Sequence, residues 1–139
     1  MLAAYAANQY QEMQVQTTPG KMVVMLYDGT LRFLHLALND LRRGDREAQG
    51  VHLGKAQNIL SHLMATLDMS AGPVAHQLRA VYCYCLERLL VANAEDRAEY
   101  VEEVIRLLTP LRDAWEHAER AVRAGQSEAS APALAGAAA

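Results

Sequence analysis

Aromatic residues supply only 6% of this chain: one tryptophan, one phenylalanine and six tyrosines. β-Branched residues are also sparse, so the usual strand formers are too few for a sheet, and alanine and leucine dominate instead. A basic excess is missing too. Lys and Arg number 13 against 16 Asp and Glu, a net charge of −3, so no strong positive field argues for nucleic acid. No apolar run approaches the roughly 20 residues that cross a bilayer, which excludes stable membrane insertion from the reading. Met1-Leu2-Ala3-Ala4-Tyr5-Ala6-Ala7 lacks a basic start, and polar Asn8-Gln9 ends the apolar stretch, so no secretory signal is expected. A soluble cytoplasmic protein is the expectation.

Catalytic constellations are lacking as well. A nucleophile elbow, a phosphate-binding glycine loop and zinc spacing are all missing from the sequence. Helical di-metal sites use Glu-x-x-His pairs, and none of the five histidines has a glutamate three residues before it. His35, His52, His62, His76 and His117 fall beside the apolar seams and read as surface residues. The two cysteines, Cys83 and Cys85, are two apart in a helical stretch and point to nearly opposite sides. They cannot share a metal or form an easy disulfide. No cofactor is expected, and no enzyme.

What is there is helical periodicity. The length of 139 residues suits one domain with a single core. Thr17-Thr18-Pro19 reads as a cap followed by proline in the first turn, and the spacing predicts a helix over 19–43, ending at Gly44. Two stripes run along it: Val23, Leu26, Phe33, Ala37 and Tyr27, Leu31, Leu34, Leu38, Leu41. So wide an apolar face implies more than one neighbour. Gly29 sits within this pattern, where glycine costs about 1 kcal/mol relative to alanine, and such a glycine marks close packing.

Asp45 is placed to cap a second helix reaching Leu67 or Asp68, with Leu53, Ala56, Leu60, Leu63 and Leu67 as its seam. Gly50 and Gly54 weaken its first turns. After Ser70-Ala71-Gly72-Pro73, a third helix carries Leu78, Tyr82, Cys85, Leu89 and Ala92, with a second stripe of Val81, Leu86 and Leu90. Asn93-Ala94-Glu95-Asp96 reads as a short connection. The fourth seam is Val101, Val104, Leu108, Leu111, Trp115, Ala118 and Val122, with a bend expected at Pro110 and an end at Gly125. Short connections make sequence neighbours antiparallel, so the expected fold is all-α, an up-down-up-down four-helix bundle.

Two segments flank the bundle of residues 17–125. Residues 126–139 are rich in Ala, Ser, Pro and Gly and are expected to be a disordered tail. Residues 1–16 hold Leu2, Tyr5, Tyr10, Met13 and Val15 among polar residues and alanines, and apolar anchors in a tail imply docking. Two readings stand: an extra helix packed permanently on the bundle, or a removable cover over a groove. Met13, Met22 and Met25 likewise suit either an adaptable contact surface or gap-filling at the bundle end.

Several separated motifs carry a family resemblance over about residues 8–120. They are Tyr10-Gln11, Val15-Gln16-Thr17-Thr18-Pro19, Leu26-Tyr27-Asp28-Gly29, Ala56-Gln57-Asn58-Ile59, Tyr82-Cys83-Tyr84, Arg88-Leu89-Leu90-Val91-Ala92-Asn93 and Ala114-Trp115. In that order and spacing the chain resembles the FliS flagellar secretion chaperones. The resemblance implies a four-helix bundle that binds the carboxy-terminal segment of flagellin in apolar grooves, prevents premature polymerisation and supports flagellar type III export. Flagellar regulators and export-gate proteins are further candidate partners. Together with the second stripes it nominates Tyr10, Val15, Leu26, Tyr27, Asn58, Ile59, Tyr82, Leu86, Leu89 and Asn93 as partner-binding residues. Two departures are visible: Cys83 stands where the family commonly has aspartate, and Ala71-Gly72-Pro73 where it often has paired glycines. The alternatives are a generic helical adaptor, a homo-oligomeric structural bundle, and a small-molecule or metal-binding bundle.

Overall fold

A computed structural model describes residues 19–125 of the chain, and the readings of residues 1–16 and of the tail, with Tyr10, Met13 and Val15, lie outside them. Four helices follow in order: α1 (Pro19–Arg43), α2 (Arg46–Ala65), α3 (Pro73–Glu95) and α4 (Ala98–Ala124), with a short 3-10 turn at Met69–Ala71. No strand occurs among the described residues. Pro19 opens α1, and Gly44 closes it at φ +71°, a conformation that favours glycine. Asp45 caps α2 by accepting from the Ala48 N–H at 3.1 Å, so the helix forms despite the glycines in its first turns.

The chain folds up and down, as side-chain partners across the interfaces show. Gly29 on α1 faces Ile59 on α2, while Asp40, further along, meets His52, nearer the start of α2. Gln49 reaches Asn93, and Met64 reaches Cys83, which sets α2 and α3 antiparallel. Asp28 pairs with Arg112, and Arg42 with Glu102, which closes the ring between α1 and α4. Thus α1 touches α2 and α4, α3 touches the same two helices, and α1 and α3 lie on one diagonal. α1 packs closely against both neighbours, whereas α3 makes sparser contact with each.

The core follows the predicted seams. Leu34, Leu53, Leu60, Leu89 and Leu108 are fully buried, each stabilising by about 1.5–3 kcal/mol relative to exposure. α1 is the most enclosed helix: Met22, Val24 and Thr30 are buried in addition to its two stripes, of which only Leu31 and Leu41 are partly exposed. The Thr30 hydroxyl is satisfied by donating to the Leu26 carbonyl at 2.9 Å.

Two differences from expectation have clear causes. Asn93, Ala94 and Glu95, read as connection, belong to α3, which runs to Glu95, and Asp96 then takes a left-handed conformation at φ 55°. The buried Gln49 holds this corner, its amide donating to Asn93 Oδ1 at 3.1 Å and Asp96 Oδ1 at 3.0 Å. α2 ends at Ala65, earlier than Leu67 or Asp68, with Asp68 capping the 3-10 turn instead. Pro110 lies exposed within α4, which continues past it to Ala124; this is no departure, since the expectation was a bend and not an end.

Candidate functional site

The bundle interior is a closed polar and apolar lock rather than a reactive site. The Tyr27 and Tyr82 hydroxyls lie 2.5 Å apart, joining the diagonal helices α1 and α3. Burial pushes both phenols above their ordinary value, Tyr82 up to about 12. Trp115 is buried beside them; its indole N–H meets no acceptor in hydrogen-bond geometry among the described residues, although it acts on Tyr27 against the rise. Burial, with the Glu103 charge second, pushes the Cys85 thiol up to about 12, so it is no nucleophile at neutral pH. No group of His, Cys, Asp and Glu among the described residues is arranged to hold a metal.

Two histidines depart from the surface reading, His52 and His62, both half-buried. The Nδ1 of His52 lies 2.6 Å from Asp40 Oδ2, with its ring stacked on Phe33. Arg43 donates to the other Asp40 oxygen at 2.6 Å. Burial acts to raise the Asp40 pKa, but the bonds and charges of His52 and Arg43 hold it below the usual value. Asp40 lies on the helical line of Phe33 and Ala37, so its burial was signalled by that spacing. The partner that makes burial tolerable was not. His35, His76 and His117 are exposed as expected.

The residues nominated for partner binding separate into two groups. Leu26, Tyr27, Ile59, Tyr82 and Leu89 are buried in the core, and their side chains are not offered to a partner in this conformation. Asn58, Leu86 and Asn93 are partly exposed. Of these, Asn93 faces α2 by accepting from Gln49. Leu90, 64% exposed, and Val51, 43% exposed, are the most exposed large apolar residues among those described, and neither was nominated. Leu90 belongs to the second stripe of α3, which was its one signal in the sequence. Cys83 lies on the same side, its thiol 3.5 Å from Met64 Sδ.

On the other side of α3 the polar contacts are dense. Arg88 lies over the rings of Tyr84 and Tyr100, at 5.2 and 4.6 Å, and pairs with Glu103 at 3.1 Å. The Tyr84 hydroxyl donates to Glu103 at 2.6 Å. These bonds clamp α3 to α4.

A closed helical bundle that leaves large apolar residues such as Leu90 and Val51 exposed has the form of a helical binding module. Comparison with known proteins gives that class a family. The family described as "Flagellar protein FliS" matches residues 1–122. The flagellar secretion chaperone FliS of Bacillus subtilis is 36% identical over 115 residues, spanning 82% of this chain and 86% of that protein. The flagellar secretion chaperone FliS of Salmonella typhimurium is 36% identical over 116 residues, with the same shares. Its counterpart in Escherichia coli is 34% identical over 114 residues, 81% of this chain and 84% of that protein. The chain belongs to the FliS family. Membership places it among export chaperones, which act by binding a client and not by catalysis.

Proposed function

We propose that this chain is a cytoplasmic export chaperone whose client is flagellin, and that flagellin's carboxy-terminal segment lies as an amphipathic helix in the α2–α3 groove. The observation that carries this reading is Leu90: a leucine 64% exposed, on the helix with the sparser packing. Among the described residues no helix is long and apolar enough to cross a membrane, so this surface is not explained as a lipid-facing span. Leu86 and Met64 deepen the groove, while Asn58 and Asn93 offer polar groups to the client's backbone or side chains. The buried Leu26, Tyr27, Ile59, Tyr82 and Leu89 serve as the frame that holds α2 and α3 in place.

A segment that folds on binding loses several kcal/mol in ordering, so the groove must cover substantial apolar area of the client. The helix-in-groove mode supplies that area without catalytic machinery. Holding the segment in this way prevents it from joining other flagellin molecules before export.

Size-exclusion chromatography with full-length flagellin, and with flagellin lacking the carboxy-terminal segment, tests the reading. A 1:1 complex with the first and none with the second is expected. Equal binding to both would remove the carboxy-terminal segment from the account, and self-association of the chain through Leu90 without flagellin would favour a homo-oligomeric bundle.

A further inference from the structure

One side of α3 is fixed against α2 at two points. The Cys83 thiol lies 3.5 Å from Met64 Sδ, and Asn93 accepts from Gln49 at 3.1 Å. Arg79, Cys83, Leu86, Leu90 and Asn93 follow one another in steps of four, three, four and three, so they form one line along the helix. Because Cys83 and Asn93 face α2, Leu86 and Leu90 between them lie on the same side. α2 leaves room there: Gly50 is one turn on from Arg46, which reaches Asp96 at 3.0 Å, and a Cβ added at Gly50 would meet nothing within 4 Å. From Arg79 to Asn93 the line is about 21 Å long, the length of a client helix of about four turns.

The two ends of this line differ in charge. Arg79 is exposed and forms no ion pair among the described residues. Asp68, the carboxylate that precedes α3, is held by the Ser70 N–H at 3.0 Å. At the other end Asp96 is matched by Arg46 at 3.0 Å and Glu95 lies 3.8 Å from Arg97, while Glu47 in the first turn of α2 adds a negative charge. Glu87 sits near the middle of the line and favours neither end. Arg88 is taken up on the α4 side by Glu103. An apolar line therefore has an uncompensated cation at the start of α3 and a slight acidic excess at its end.

We propose that Arg79 sets the direction of the client helix in the groove, which lies with its carboxy-terminal end at Arg79 and its amino-terminal end near Asn93, antiparallel to α3. This rests on flagellin being the client of that groove. Contacts with Leu86 and Leu90 alone do not fix a direction, since an apolar stripe packs on them either way round. A helix carries roughly half a negative charge at its carboxy-terminal end and half a positive charge at its amino-terminal end. The first is attracted by Arg79 and the second by the acidic end, whereas the reversed helix meets repulsion at both. Arg79 is thus a specificity-determining residue that selects one of two otherwise equivalent poses. Since it is exposed, its influence weakens as salt rises.

The test uses the full chain with benzoylphenylalanine in place of His76 or of Ala94, two exposed positions about five turns apart on one face of α3 that flank the line. Each variant is bound to full-length flagellin and irradiated, and the cross-linked flagellin peptides are identified by mass spectrometry. Position 76 is expected to capture residues close to flagellin's carboxy terminus, and position 94 residues about 18 positions nearer its amino terminus. The reverse order overturns the proposal, and so does capture of the same residues from both positions. Arg79→Glu is expected to weaken flagellin binding at least about threefold at low salt, with the difference shrinking as salt is added. Arg106→Glu, the same charge change at an exposed site on α4, leaves the affinity unaltered. Unchanged affinity in folded R79E overturns the role of Arg79. Flagellin that binds the unaltered chain but cross-links from neither position overturns this proposal alone, whereas flagellin that does not bind at all overturns the client reading beneath it.

Discussion

The hydroxyls of Tyr27 and Tyr82 meet at 2.5 Å across the bundle diagonal, joining α1 to α3 although both helices pack mainly on α2 and α4. Their rings are tilted by 52° with centres 6.3 Å apart, so the link is the hydrogen bond and not a stack. Replacing one tyrosine by phenylalanine leaves the other hydroxyl buried and alone, at a cost of about 1–3 kcal/mol. The double variant Tyr27→Phe/Tyr82→Phe is expected to lose less than the sum of the two single variants, measured by urea denaturation.

Alkaline titration checks the same pair. Both phenols are raised in the folded state, Tyr82 to about 12. Their contribution to stability is complete below the unfolded value of about 10 and is lost as pH rises through the folded values. Wild-type protein should lose stability steeply above about pH 10, and the double phenylalanine variant less so. Parallel loss in both proteins would assign the alkaline transition to other groups.

Asp40 governs the acid side. Its carboxyl is held below its usual value, so its contribution is present above the unfolded value of 3.8 and is lost as pH falls through the lower folded value. Asp40→Asn should cost about 1–3 kcal/mol at neutral pH, the range for losing hydrogen bonds to a charged group. The difference from wild type should shrink below about pH 4. A constant difference across pH 3–7 would show that the loss is packing, not charge.

Gly29 faces the end of Ile59. A Cβ there would lie 3.3 Å from Ile59 Cδ1, a terminal methyl that can yield by a few tenths of an ångström. The helix gain of about 1 kcal/mol then offsets the crowding, and Gly29→Ala should change stability by less than that amount. Gly29→Val should destabilise by about 1–3 kcal/mol through overpacking. Thermal melts of the two variants give the comparison. If both melt like wild type, the α1–α2 contact is looser than the Gly29–Ile59 distance implies.

Trp115 fills the core at 2% exposure. Trp115→Ala should cost about 3–5 kcal/mol as a large truncation. Trp115→Phe removes an N–H that has no acceptor among the described residues, and should cost clearly less. Similar losses in both would point to a partner for the indole nitrogen.

The helices were legible because apolar spacing and burial report the same thing. Leu78, Tyr82, Cys85, Leu89 and Ala92 were read as the α3 seam and all are buried, and Gly44 ends α1 as its conformational freedom suggests. For the buried polar residues Asp40 and Gln49, apolar spacing marked the position but not the partner. Asp40 and Gln49 are tolerated inside only because His52 and Asn93 arrive from other helices, 12 and 44 residues away. The family motifs marked positions without saying which face they serve. Leu26, Tyr27, Ile59, Tyr82 and Leu89 therefore stood beside Asn58, Leu86 and Asn93 in one set, although the first five pack inward. Leu90 and Val51 were missed because the exposure of a second stripe depends on how closely its neighbour helix approaches.

Leu90 separates binding from folding. Being 64% exposed, it contributes little to the core, and Leu90→Asp should leave thermal stability nearly unchanged. The same substitution places a charge in the proposed groove and should weaken flagellin binding by at least about tenfold in calorimetric titration. Full affinity in the folded variant would move the client off this part of α3.

Methyl NMR of the full chain, with the carboxy-terminal segment of flagellin added, tests the groove most directly. The account predicts that the methyl signals of Val51, Leu86 and Leu90 shift together as the segment is titrated, while Leu36 on the α1–α2 face stays in place. Shifts confined to Leu36 and its neighbours, with Val51, Leu86 and Leu90 unmoved at saturation, would contradict it.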